Sequence, residues 1–347
     1  MNLDKLQTTL EELGQPAYRL KQISLAVYRD LKEGFDAIDT VPQALRKDLT
    51  RLLAFNELTL KAEQESRDGS GKALLFTHDN LAIESVLIKH EDGSRTVCVS
   101  TEAGCQIDCS FCATGHLGFK RILTQFEIAE QAIWFARKLR AEGEKVTNVV
   151  FMGMGEPFLN YDNVKGAILL LNDKSGFNLG QRRISVSTSG IVPGIERFGA
   201  EDWQVNLAIS LHAPSNALRS KLMPINKTYP LEKLMPALDR YVARTNRRLM
   251  IEYLLLGGIN DSPGQAQALV VLIHAYRDVS RLCVVNLITY NATGDSGDAF
   301  KVPSPAALRA FEEVLTHQGI AWTRRVSFGS DIGGACGQLA GELHSKA

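Results

Sequence analysis

The sequence predicts an α/β protein, a partial (β/α)6 barrel preceded by a helical module and a small antiparallel β extension. Three observations predict it. Six short β-rich runs stand in series beyond Arg95. The segments between them have helical period, as crossovers between parallel strands require. Polar or glycine-rich residues recur just after the runs, at the rim where such folds gather their function. With 347 residues, 45% hydrophobic and 22% charged, the chain can bury a sizeable core and is long enough for one barrel plus a module.

Residues 1–56 read as a helical accessory domain. Leu3–Leu13 stops at Gly14, Ala17–Leu31 carries apolar residues at helical spacing, and Pro42 opens Gln43–Ala54. Residues 57–94 shorten to strand-like runs split by Asp68-Gly69-Ser70-Gly71, Asp79-Asn80 and Asp92-Gly93-Ser94, which predicts a β-meander. Residues 95–347 form the core. Its strands fall at Thr96–Thr101, Val146–Met152, Arg183–Thr188, Val205–Leu211, Leu249–Leu256 and Cys283–Ile288, with helices such as Gln125–Glu142 and Pro263–Tyr276 between them. A last helix has Ser304 as N-cap and Pro305 at its first position, and Ala321–Phe328 reads as a terminal strand.

Thirty-nine basic and 39 acidic residues cancel, so any affinity for nucleic acid must be local. No apolar run approaches the ~20 residues that span a bilayer, and Met1-Asn2-Leu3-Asp4-Lys5 is not the start of a secretory signal. A cytoplasmic protein without a membrane partner is expected. Six cysteines are too few and too uneven for a disulfide framework; four fall between Cys98 and Cys112, which points to metal or redox chemistry.

The first run leads into Cys105-x3-Cys109-x2-Cys112. A structural zinc site wants four closed ligands, whereas a four-iron cluster held by three cysteines keeps one iron open to a small chelating molecule. On spacing alone both stay open, since Cys98 could complete a zinc set. The second run ends in Gly153-Met154-Gly155-Glu156-Pro157, the third in Ser187-Thr188-Ser189-Gly190, the fourth in Ser210-Leu211-His212 and the sixth in Asn291.

The cysteine triplet, with Phe111 before its last member and a barrel strand ahead of it, resembles the radical S-adenosylmethionine (SAM) superfamily. The Gly153–Pro157 turn looks like that superfamily's motif for the SAM amino group. Longer strings resemble the RlmN/Cfr family of radical SAM RNA adenine methyltransferases over nearly the whole chain. They are Cys98-Val-Ser-Thr, Val149 to Pro157, Leu207 to Pro214, Lys221-Leu-Met-Pro-Ile-Asn226 and Asp331 to Leu339. The resemblance implies methylation at C2 of adenosine 2503 in 23S rRNA and of adenosine 37 in tRNA, or at C8 of the same rRNA base in the Cfr branch. Ser210–Pro214 and Asn216 favour the RlmN branch. A radical SAM enzyme acting on a protein is the other alternative.

Residue by residue, the resemblance implies that Cys105, Cys109 and Cys112 hold a [4Fe-4S] cluster whose fourth site is open to SAM. Gly155, Glu156, Ser187, Ser210, Leu211, His212 and Asn291 match SAM-binding positions. Cys336 matches a cysteine that is methylated by one SAM and activated by a second, Cys98 the resolving cysteine that releases product as a disulfide, and Glu84 a proton acceptor. A flavodoxin-like one-electron donor and a dithiol reductant are implied as partners. Without the resemblance, Cys336 reads as a tight-loop residue among glycines, Glu84 as a solvated strand residue, His212 as a satisfied histidine and Cys283 as core. Lys120-Arg121, Arg182-Arg183, Arg247-Arg248 and Arg324-Arg325 are candidate phosphate contacts. The run Ala292-Thr293-Gly294-Asp295 departs from the family, many of whose members carry a proline there.

Overall fold

The computed structural model describes residues 1–292 and 300–340; most of the Ala292–Asp295 run lies outside them. Three helices come first, α1 (Leu3–Glu12), α2 (Tyr18–Tyr28) and α3 (Gln43–Leu52). Asn2 caps α1 by accepting the amides of Asp4 and Lys5. Their apolar stripes, with Leu6, Leu10, Ile23, Val27, Leu45 and Leu49, close over a core of their own that reaches the rest of the protein through Ile133.

Strands follow: β1 (Leu58–Glu65), β2 (Gly71–Thr77), β3 (Ala82–Lys89), β4 (Arg95–Cys98), then a short pair, β5 (Glu102–Ala103) and β6 (Arg121–Ile122), with the one-turn α4 (Ala113–His116) between. Beyond them β7 (Asn148–Phe151), β8 (Ile184–Thr188), β9 (Asn206–Ser210), β10 (Leu249–Leu255), β11 (Cys283–Thr289) and β12 (Trp322–Arg325) alternate with helices. These are α5 (Gln125–Ala141), α6 (Tyr161–Asn172), α7 (Val192–Ala200), the pairs α8 (Asn216–Leu222) with α9 (Leu231–Thr245) and α10 (Pro263–His274) with α11 (Arg277–Leu282), and α12 (Pro305–His317).

Meander and barrel share one sheet, ordered β1-β2-β3-β4-β7-β8-β9-β10-β11-β12. Every pair from β4 onward is parallel, and β12 is the terminal strand expected from the sequence. Among the described residues no closed barrel forms, because the outer edge of β4 is taken by β3, antiparallel, with Val86 opposite Cys98. The predicted first strand is shorter than expected; after Val99 the chain leaves the sheet for β5. That exit is pinned by Gln131 of α5, whose side chain accepts the Ser100 amide at 2.7 Å and donates to the Ser100 carbonyl at 2.9 Å. A capping box of Thr124 and Glu127 fixes the start of α5. Among the described residues no helix is long and apolar enough to cross a membrane.

Candidate active site

Gly155, Glu156, Ser187, Ser210, Leu211, His212 and Asn291 lie at or just beyond the C-terminal ends of the parallel strands β7, β8, β9 and β11, whereas Glu84 lies within the antiparallel β3. In the cysteine loop, Gly104 has φ +78°, and a Cβ there would lie 1.8 Å from the Gly118 carbonyl oxygen; only glycine lets the two ends of the loop cross so closely. Asp108 is left-handed, at φ 55°, and helps to reverse the chain between Cys105 and Cys109.

All three loop cysteines are half-buried. Burial pushes the Cys105 thiol up to about 12 and raises Cys109 well above the ordinary range, with further upward pushes from neighbouring cysteines and Glu156. Only Arg219 opposes this at Cys109. As thiolates they would be several negative charges in a desolvated pocket, and a cationic metal centre would supply the missing counter-charge. Among the described residues no three His, Cys, Asp or Glu side chains are gathered around a single ion position. Three soft donors suit a multi-iron cluster with one open position.

Beside the cysteine loop lies the turn after β7. Gly155 has φ +98°, and a Cβ there would meet Glu102 at 2.5 Å. Glu156 is buried, and its carboxylate accepts the amides of Phe158 at 3.0 Å and Ser189 at 2.7 Å, tying the ends of β7 and β8 together. Burial raises its carboxyl, and it lifts that of Glu102, which accepts the Glu156 amide, to about 7. Ser187 and Ser210 bring their hydroxyls to 3.5 Å across β8 and β9.

The rim is held from behind by Arg219, a fully buried arginine. It donates to the carbonyls of Ser189 (2.6 Å), Ser210 (3.1 Å) and Leu211 (3.2 Å) and to Asn226 (2.9 Å), thereby joining the ends of β8 and β9. His212, left-handed at φ 57°, accepts the Leu254 amide on Nδ1 at 3.0 Å, and its ring meets Phe111 of the cysteine loop edge-on at 5.0 Å. Burial, helped by Arg219, lowers its imidazole to about 3, so it is neutral and fixed as an acceptor.

A strap, residues 329–340, crosses this rim carrying Cys336. The β1–β2 turn holds its start, where Asp331 accepts from the Ser66 hydroxyl and Asp68 from the Gly329 amide at 2.8 Å. The cysteine loop holds its middle: Ala113 N donates to Gly337 O at 2.9 Å, and the Thr114 hydroxyl to Leu339 O at 2.6 Å. Asn291 reaches the Cys336 carbonyl at 3.4 Å and Gln338 the Ala292 carbonyl at 2.7 Å. Cys336 keeps solvent access, yet surrounding protein desolvates its thiol and raises it; Glu252 pushes the same way and Arg325 opposes. Cys98, half-buried at the end of β4, is driven up to about 12 by burial and by its neighbour Cys336.

The strap thus brings Cys336, Cys98, Asn291 and the cluster loop together, and Glu84 underlies its end. Glu84 is fully buried and ion-paired to Lys72, rather than on a solvated face. Lys72, Glu102, Arg219 and Glu252 were not legible in the sequence, because each reads locally as a charge on a strand or helix surface. Several candidate phosphate contacts are committed elsewhere. Arg121 is paired with Asp79 and Glu127, and Arg324 with Glu312, while Arg325 reaches Glu252 at 3.4 Å.

Residues 99–266 match the model of the radical SAM superfamily. The chain is 46% identical to a probable dual-specificity RNA methyltransferase RlmN of Chloroflexus aurantiacus, covering 98% of this chain and 91% of that one. It is 40% identical to the corresponding protein of Bacillus thuringiensis, with the same coverage. The crystal structure of a radical SAM methyltransferase from Sphaerobacter thermophilus superposes with a TM-score of 0.92 at 44% identity, over 99% of this chain and 98% of that one. The chain belongs to the RlmN family within the radical SAM superfamily.

Proposed function

We propose that this protein methylates C2 of adenosine in RNA, in 23S rRNA and in tRNA, through a covalent enzyme–RNA adduct at Cys336 that Cys98 resolves. The supporting observation is the docking of the Cys336 strap onto the cysteine loop, with the Cys336 thiol in electrostatic reach of both Cys98 and Cys112. Cys105, Cys109 and Cys112 would hold the cluster. When bound, the cluster and two SAM molecules per turnover supply one-electron chemistry and the methyl carbon.

The chain's own residues have three tasks. The Gly155–Glu156 turn, the Ser187–Ser210 pair and the Ser210–His212 backbone, locked by Arg219, orient the ligand without rearranging. Asn291 and Gln338 steady the strap. Glu84 takes the proton from the substituted ring carbon, and Cys98 as thiolate attacks Cys336 sulfur, so that the carbon–sulfur bond breaks as the disulfide forms, its electron pair staying on the product carbon, which takes up a proton to become the methyl group; a cellular dithiol then reduces the disulfide. A neutral His212 keeps additional positive charge away from the rim.

Peptide mass spectrometry of the purified holoenzyme tests this reading, with one added methyl group on Cys336 expected. Nucleoside analysis of RNA from a deletion strain, re-exposed to enzyme, separates the C2 from the C8 product. An unmodified Cys336 in cluster-loaded protein given ample SAM would overturn the mechanism.

A further inference from the structure

Lys72 Nζ lies 2.9 Å from Glu84 Oε1, and both side chains are 0% exposed. Lys72 and Cys98 both stand opposite Val86, one from β2 and one from β4, so register sets Lys72, Val86 and Cys98 in one row. Glu84, two residues before Val86, shares that face. Gly334 of the strap packs over Val86, and Ala340 N donates to Glu84 Oε2 at 3.0 Å. The pair therefore sits beneath the segment that carries Cys336.

Packing does not account for it, since a buried ion pair is seldom more stabilising than apolar residues of the same volume. A carboxyl group at such depth with no cation beside it would take up a proton and lose its capacity to accept another. We infer that Lys72 is a positioning residue, which keeps Glu84 a carboxylate aimed at the strap so that it can receive the proton of the adducted base. The inference rests on the proposed role of Glu84. In the step it serves, the proton leaves the substituted ring carbon for a Glu84 oxygen while the C–H electron pair enters the ring, and the one electron then in excess would pass to the bound cluster, the one-electron partner of the proposed reaction. Among the described residues Lys72 is the cation paired with Glu84, Cys98 of β4 is the titratable group in the same row of the sheet, and Arg325 acts on Cys336 of the strap above.

The test uses cluster-loaded holoenzyme with ribosomal RNA from cells lacking the modification, followed across pH for methylated product and for covalent enzyme–RNA adduct. Lys72→Met is expected to raise the pH of half-maximal turnover by about 1 to 3 units, the span an adjacent cation typically supplies, and to accumulate adduct at neutral pH. Lys72→Arg is expected to restore the native profile. Iron content and thermal midpoint of Lys72→Met/Glu84→Gln, which buries no unpaired charge, control for folding. A Lys72→Met enzyme that keeps the native pH profile, or loses turnover equally at every pH without adduct, overturns the role of Lys72. Glu84→Gln with normal turnover and no adduct would instead overturn the role of Glu84, and the pair would then be structural.

Discussion

Glu84 Oε2 accepts the backbone amide of Ala340 at 3.0 Å, a bond between residues 256 positions apart. Together with Asp68 and Asp331 at the other end of the strap, it makes the antiparallel meander a clamp for the cysteine-bearing segment. The β extension thus anchors the strap of the candidate site at both ends, and disturbing it should be felt at Cys336.

Asp331→Ala should loosen the start of the strap by removing the acceptor of the Ser66 hydroxyl and the Arg67 amide. Slower methylation with unchanged iron content is expected, read by single-turnover product formation beside an iron assay. The Ser66 hydroxyl holds the Asp331 carboxyl below its usual range, so the contact should persist well into mild acid.

Removal of the metal should leave thiols of very different reactivity. In cluster-free, reduced protein at neutral pH, the exposed Cys336 should be alkylated by iodoacetamide ahead of Cys98 and Cys105, although desolvation raises it as well. Cys98 and Cys105, pushed up to about 12, should react about a thousandfold more slowly than a free thiol, because the thiolate is the nucleophile. Time-resolved peptide mapping gives the order directly.

Arg219→Met should cost about 2 to 5 kcal/mol, since it removes its hydrogen bonds to the buried carbonyls of Ser189 and Ser210 and to Asn226, the Leu211 carbonyl keeping the Ala213 amide. Denaturant unfolding measures the loss. SAM affinity should fall with it, because the turns that follow β8 and β9 lose the side chain that ties Ser189 to Ser210.

His212 gives the stability curve a sign that can be checked. Its folded imidazole is lowered to about 3, below the ordinary value of about 6.5, so the unfolded chain binds more protons between those limits. Its contribution is complete above pH ~6.5 and is lost as pH falls towards 3, at no more than about 1.4 kcal/mol per pH unit. Thermal midpoints of wild type and His212→Asn should converge on acidification.

Legibility in the sequence followed the range of the interactions. The strand–helix alternation and Pro305 at the start of α12 are local signals, and the structure contains the corresponding elements; the Cys105-x3-Cys109-x2-Cys112 spacing is equally local. Lys72 and Glu84 meet only through the β2–β3 register, so neither residue announces the other. Arg219 sits in Asn216–Leu222 as an ordinary helical cation, and only the convergence of two strand ends above it makes it central. The strap gave glycines and a cysteine but not its anchors, which lie in the meander and the cysteine loop.

The bond from Thr114 to Leu339 spans 225 residues, and that from Asp68 to Gly329 spans 261. During synthesis the cysteine loop therefore emerges long before the segment that will lie across it. Contacts of such sequence separation form late, after the strands between them have assembled. The cysteine loop therefore stays uncovered until residues 329–340 arrive to lie across it.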